Sequence, residues 1–167
     1  MARRGFTLIE LLLVMAMIAL LTGIIAFSTG VSTQWSKFHQ DATSIYSLCK
    51  HARATAIAQS KRVRVEIDTT LKTYKLTIEA DPEMAADTFT SPEGSWSETF
   101  NLNDSVTATL TDRVSGDASI LYVTFNPDGT ADPVDIDLTH ESFTEILRIT
   151  INEITAMAEL EVVDETE

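Results

Sequence analysis

Apolar and polar positions divide the chain into three regimes. Residues 6–27 are a continuous apolar run of 22 residues in which Glu10 is the one charge. Beyond it the apolar positions thin to a stripe. Val31, Trp35, Phe38, Ala42, Ile45, Cys49, Ala52 and Ala56 recur at alternating spacings of four and three, the signature of an amphipathic helix or a coiled-coil seam. No proline interrupts residues 28–59. Near Ser60 the period falls to two. Arg62-Val63-Arg64-Val65-Glu66-Ile67-Asp68 alternates strictly and places Val63, Val65 and Ile67 on one face.

A turn at Asp68-Thr69-Thr70-Leu71-Lys72 leads into a second alternating stretch, Tyr74-Lys75-Leu76-Thr77-Ile78-Glu79, so the two read as a hairpin. Residues 81–94 are polar and contain Pro82, Pro92 and Gly94, which predicts a loop. Residues 97–102 and 106–110 flank Asn103-Asp104 and read as a second hairpin. Ile120-Leu121-Tyr122-Val123-Thr124-Phe125 is apolar at nearly every position, which predicts a strand buried on both faces. Asn126-Pro127-Asp128-Gly129 is a turn, and residues 145–151 and 158–163 close the sheet. The fold expected is α+β: one long N-terminal helix packed on an antiparallel sheet or sandwich of about seven or eight strands.

The apolar run is long enough to span a bilayer, since 22 helical residues cover about 33 Å against a hydrocarbon core of roughly 30 Å. Arg3 and Arg4 precede it and no positive charge comes after it until Lys37. The positive-inside rule then keeps the N-terminus cytoplasmic and exports the chain beyond residue 27. Residues 28–60 continue the helix into a β-rich exported domain, residues 61–167. An unbroken helix over residues 6–59 would be roughly 80 Å long, with Gly23 and Gly30 as its weak points.

Glu10 is the unusual feature. A carboxylate inside an apolar helix costs on the order of 2.5–3.5 kcal/mol. Either it snorkels from the helix start to the headgroups, helped by the positive end of the dipole, or a positive group from another chain offsets it. Arg4-Gly5-Phe6-Thr7-Leu8-Ile9-Glu10 before an apolar helix resembles the class III signal of type IV prepilins and type II secretion pseudopilins. The resemblance implies a leader of residues 1–5 with its charge on Arg3 and Arg4, cut between Gly5 and Phe6 by a prepilin peptidase. It implies that the same enzyme N-methylates Phe6, and that Glu10 pairs with the terminal amine of a neighbouring subunit. A secretory signal cut after Ala26-Phe27-Ser28 is the competing reading. The apolar run is longer than the usual 7–15 residues of such signals, and a charge sits inside it.

The later chain narrows the resemblance to the H-type minor pseudopilins of type II secretion and the FimT-like minor pilins. Ala52-Arg53-Ala54-Thr55-Ala56-Ile57 precedes a valine-rich strand, Phe125-Asn126-Pro127-Asp128-Gly129 supplies a turn, and Leu147-Arg148-Ile149-Thr150-Ile151 with Leu160-Glu161-Val162 resembles the ending. The glycine turn usual between the last two strands is replaced by Asn152-Glu153-Ile154-Thr155. The helix-kinking proline of many pilins is absent, with Phe27 in its place. This resemblance implies a subunit that helps initiate a periplasmic pseudopilus at its tip, anchored in the bacterial inner membrane among sibling subunits, with secreted cargo as a further partner. The alternatives are a minor type IV pilin, including one for DNA uptake, and a membrane-anchored binding domain that never assembles.

Charge weighs against nucleic acid. The chain has 25 acidic and 12 basic residues, a formal net charge of −13. Residues 77–167 hold 21 acids against Arg113 and Arg148, a net of −19, which repels phosphate backbones. Lys61, Arg62 and Arg64 form a small basic cluster. Cys49 has no partner for a disulfide within the chain and reads as a small buried apolar residue. His39 and His51 fall on the helix, and His140-Glu141 falls in a loop. Asn126, Asp128, Thr130 and Asp132 alternate oxygen ligands as calcium loops do. Gly129 is misplaced for such a loop and the twelfth position is Asp137 rather than glutamate, so turn chemistry is the simpler account. No catalytic constellation and no phosphate loop is legible, and neither an enzymatic activity nor a cofactor is expected.

Overall fold

In the computed structural model of the chain, residues 7–80, 87–94, 96–111 and 119–164 are described, the side chains of residues 21–32 and 164 excepted. The chain divides into two compact units, Met1–Ser36 and Lys37–Glu167, and the helix α1 (Leu8–Gln59) belongs to both. In the second unit the sequence stripe is the buried face of α1. Phe38, Ala42, Ile45, Cys49, Ala52 and Ala56 are wholly inaccessible, and Leu48 joins them. Trp35 is 45% exposed, and Val31 lies among the side chains that are not described. Four of the six stripe residues are alanine or cysteine, which lets the helix backbone approach its neighbours closely. The helix ends with Ser60 in the left-handed region (φ 53°), and the Lys61 N–H donates to the Ala56 carbonyl at 3.3 Å. That bond closes the last turn and satisfies a terminal carbonyl.

The strands are β1 (Val63–Asp68), β2 (Thr73–Glu79), β3 (Phe89–Thr90), β4 (Phe100–Asn101), β5 (Val106–Thr111), β6 (Ile120–Phe125), β7 (Val134–His140), β8 (Glu145–Ile151) and β9 (Ala158–Asp164). They form two antiparallel sheets. The first runs β3-β2-β1-β6, with β4 also paired to β2, and the second runs β5-β7-β8-β9. The inward rows Val63, Val65 and Ile67 of the first sheet and Leu147, Ile149 and Ile151 of the second share one buried cluster with the α1 stripe.

The first hairpin stands as read, with Asp68 opposite Thr73. Asp68 Oδ1 accepts the N–H groups of Thr70 and Leu71 at 2.9 and 2.7 Å, and Lys72 takes a left-handed conformation (φ 51°) to complete the turn. The second expected hairpin does not form. Residues 100–101 pair with β2, whereas residues 106–111 pair with β7 in the other sheet. Asn103-Asp104 therefore marks a crossing between sheets, held by Lys72. Its carbonyl accepts the Leu102 N–H at 2.8 Å, and its Nζ donates to the Val106 carbonyl at 2.7 Å.

Two further expectations are corrected. β6 is an edge strand buried on both faces only in its second half, at Val123, Thr124 and Phe125, while Ile120 is 39% exposed. Its outward Tyr122 is covered in part by the Arg64 guanidinium, 4.6 Å from the ring centre. His140 does not lie in a loop but ends β7 and is buried. Between β8 and β9, Asn152 stands in for the missing glycine. Its Oδ1 accepts from Ile154 and Thr155 at 3.0 Å each, and Ala156 adopts the left-handed conformation (φ 50°).

Candidate functional site

The first turn of α1 forms where the apolar run begins. The Thr7 carbonyl accepts the N–H groups of Glu10 at 3.1 Å and Leu11 at 3.3 Å, and Glu10 lies in the first turn, where a negative charge favours the positive end of the helix dipole. Arg3, Arg4, Gly5 and Phe6 lie outside the described residues. From Leu8 to Leu20 every residue is exposed: Leu8 is 79%, Ile9 74% and Leu20 70% accessible. An exposed apolar surface of this extent marks contact with lipid or with other chains. Its 13 described residues span about 20 Å. Among the described residues, no helix is long and apolar enough to cross a membrane.

The remaining candidates sit in the second unit and are occupied by structural work. Asp128 Oδ1 accepts both the Thr130 N–H (3.0 Å) and its hydroxyl (2.7 Å), and the hydroxyl bond, with the backbone one, holds the Asp128 carboxyl below the ordinary aspartate range. Asp132 Oδ2 accepts the Thr124 N–H at 3.1 Å, and Asn126 Nδ2 donates to Thr130 Oγ1 at 3.0 Å. Gly129 supplies the positive φ of 86° that the turn requires. The polar groups of this turn are thus engaged with one another and with the Thr124 backbone, and among the described residues no group of three or more His, Cys, Asp or Glu is arranged to hold a metal.

The histidines do not converge either. His51 stacks on Trp96 with ring centres 4.0 Å apart, and burial lowers its pKa. His140 packs against Phe38 and Phe143, and its Nδ1 accepts the Ser142 N–H at 3.1 Å. His39 lies 3.9 Å from Glu145. No base, nucleophile and stabiliser meet among them.

Sequence reasoning passed over the ion pairs of Arg62 and Arg148. Arg62 bonds the buried Glu79, with Nε 3.1 Å from Oε2, and also reaches Asp87 at 2.9 Å. Arg148 forks onto Asp137 across the β7–β8 ladder at 2.7 and 2.9 Å. The Arg148–Asp137 pair was findable. Val134-Asp135-Ile136-Asp137-Leu138-Thr139-His140 alternates as strictly as the first hairpin, and its aspartates merely resemble a loop composition.

A prokaryotic N-terminal methylation motif matches residues 1–26, and the family described as type II transport protein GspH matches residues 41–155. No curated protein sequence matches the chain. Solved structures share its fold. The minor pseudopilin EpsH of the Vibrio cholerae type 2 secretion system aligns with TM-score 0.58 at 13% identity, covering 78% of this chain and 99% of that one. The type IV minor pilin FimU of Pseudomonas aeruginosa gives 0.54 at 16%, covering 77% and 91%. The solution structure of Escherichia coli GspH gives 0.55 at 11%, covering 79% and 92%.

Proposed function

Because the chain belongs to the GspH family of type II transport proteins, we propose that it is a minor pseudopilin of a type II secretion system, built into a pseudopilus through its N-terminal helix. The observation that carries this reading is the bare apolar surface of residues 8–20, charged only at Glu10, on a chain whose body has the family fold. A helix with that surface needs either lipid or other greasy helices around it. It passes from one to the other at little hydrophobic cost, since lipid tails and leucine side chains are equally apolar.

The carboxylate supplies direction. While Glu10 is unpartnered in the bilayer it costs on the order of 2.5–3.5 kcal/mol. A neighbour's N-terminal amine at Phe6 offsets that cost only once two chains are in register. Cleavage between Gly5 and Phe6 frees the amine, and removing residues 1–5 takes away Arg3 and Arg4, which would otherwise hold the helix end on the cytoplasmic side. Methylation of Phe6 leaves the amine positively charged. Residues 6–27 are then the anchor and assembly helix, residues 28–60 its continuation, and residues 61–167 the periplasmic body. The role is structural, at the initiating tip, and prepilin peptidase, sibling pseudopilins and the inner membrane are the partners, with cargo reached through the body. Intact mass of the chain recovered from membranes checks the processing. The expected species lacks five residues and carries one added methyl group, while a chain starting at residue 29 or at Met1 contradicts it.

The likeness to FimU favours a second reading, a minor type IV pilin. In its DNA-binding form that reading conflicts with the net charge of −19 over residues 77–167.

A further inference from the structure

Among the described residues strand β9 is paired on one side only, to β8, and it ends the second sheet. Its side chains sort into two rows. Ala158, Leu160 and Val162 stand opposite Ile151, Ile149 and Leu147 on the core face, while Glu159, Glu161 and the half-buried Val163 stand opposite Thr150, Arg148 and Ile146 on the outer face. The core-face row is unfinished. Leu147 is fully buried, yet Val162 opposite it is 57% exposed. The outer row is unbalanced. Arg148 is the only lysine or arginine in the four strands of this sheet, and it is already forked onto Asp137.

We propose that the outer edge of β9 is a docking site for an extended segment of another protein that adds as a fifth strand, with alternating apolar and basic residues. Backbone N–H and C=O groups along an unpaired edge supply the hydrogen bonds of such an addition. Apolar side chains of the incoming strand continue the row of Leu160 and Val162, and lysines or arginines on its other face meet Glu159 and Glu161 as cross-strand pairs. A second copy of this chain does not fit. The sheet's other free edge, β5, offers only Thr107, Thr109 and Thr111 to the outer row, and two bodies with this net charge repel. The inference stands on the sheet edge and does not depend on how the helix assembles.

The test uses the full chain in detergent micelles and a seven-residue peptide alternating lysine and valine, with a glutamate–valine peptide beside it, read by amide hydrogen exchange. The lysine–valine peptide is expected to slow exchange at the β9 amides not bonded to β8 by on the order of tenfold or more, and the acidic peptide to leave them unchanged. Val162→Lys, at an exposed position that tolerates the change, should abolish the protection without lowering the melting temperature. The double reversal Glu159→Lys with Glu161→Lys should transfer the preference to the acidic peptide. Protection by neither peptide, equal protection by both, self-association through β9, or retention of the original preference in the double reversal overturns the proposal.

Discussion

Glu79 is a carboxylate shut away from solvent whose charge depends on one guanidinium. The hydrogen bond from Arg62 is the main reason its pKa lies below the ordinary glutamate range, against the opposing effect of burial. A depressed pKa stabilises the folded chain at any pH above the unfolded value of about 4.3, and that contribution is lost as the pH falls through the folded value. Glu79→Gln should therefore melt below the parent chain at pH 7, with the gap closing as the pH is taken below about 4. Thermal melts at stepped pH measure it, and a constant gap would contradict it. Ser60 offers a change of opposite sign. It is exposed and left-handed, so Ser60→Gly should raise stability by about 1 kcal/mol by removing the Cβ clash. Chemical denaturation reads that gain. Cys49 is fully buried and its thiol is pushed up to about 12 by desolvation. Thiol reagents should leave it unlabelled in the native chain and label it once the chain is unfolded.

The helix was the most legible element, because a four-and-three spacing over seven turns admits one buried face. The structure puts Phe38, Ala42, Ile45, Cys49, Ala52 and Ala56 on it. The first hairpin was legible for the same reason, since Val63, Val65 and Ile67 define a face and Asp68 a turn. What failed was pairing. Asn103-Asp104 carries turn chemistry, yet that chemistry is local and cannot say that the strands on either side belong to different sheets. The Lys72 bonds that fix the crossing join residues 30 and 34 apart in sequence. The strand of residues 134–140 went unseen because its outward aspartates look like loop, and His140 was misplaced with it. Of the candidate sites, Glu10 was legible as an anomaly of charge, whereas the open edge of β9 was not, because exposure of Val162 depends on how far the rest of the core extends. Small residues on α1 make its packing sensitive to volume. Ala52→Leu should cost about 1–3 kcal/mol through overpacking, against almost nothing at the exposed Ala54, and denaturant midpoints of the two variants decide it.

For the molecule as a whole, the sequence separates an exposed apolar helix end from an acidic body, and the proposed reading gives the first to joining chains and the second to a partner. The net charge of −19 beyond residue 76 makes the body repel itself, so raising salt from about 0.01 to 0.15 M, which shortens the screening length from about 30 to 8 Å, should raise its melting temperature. The same charge keeps bodies of this kind from clustering on their own. Under the proposed function joining is left to the helix, and Glu10, the one charge within residues 8–20, is the group proposed to distinguish a neighbouring subunit from lipid. Its contribution is read by cross-linking intact membranes and comparing the fraction of full-length chain bound to sibling subunits for the parent and for Glu10→Ala. That fraction should fall by on the order of tenfold or more in the variant, with anchoring and the melting temperature of the body unchanged. An unaltered cross-linked fraction would contradict assembly through this carboxylate.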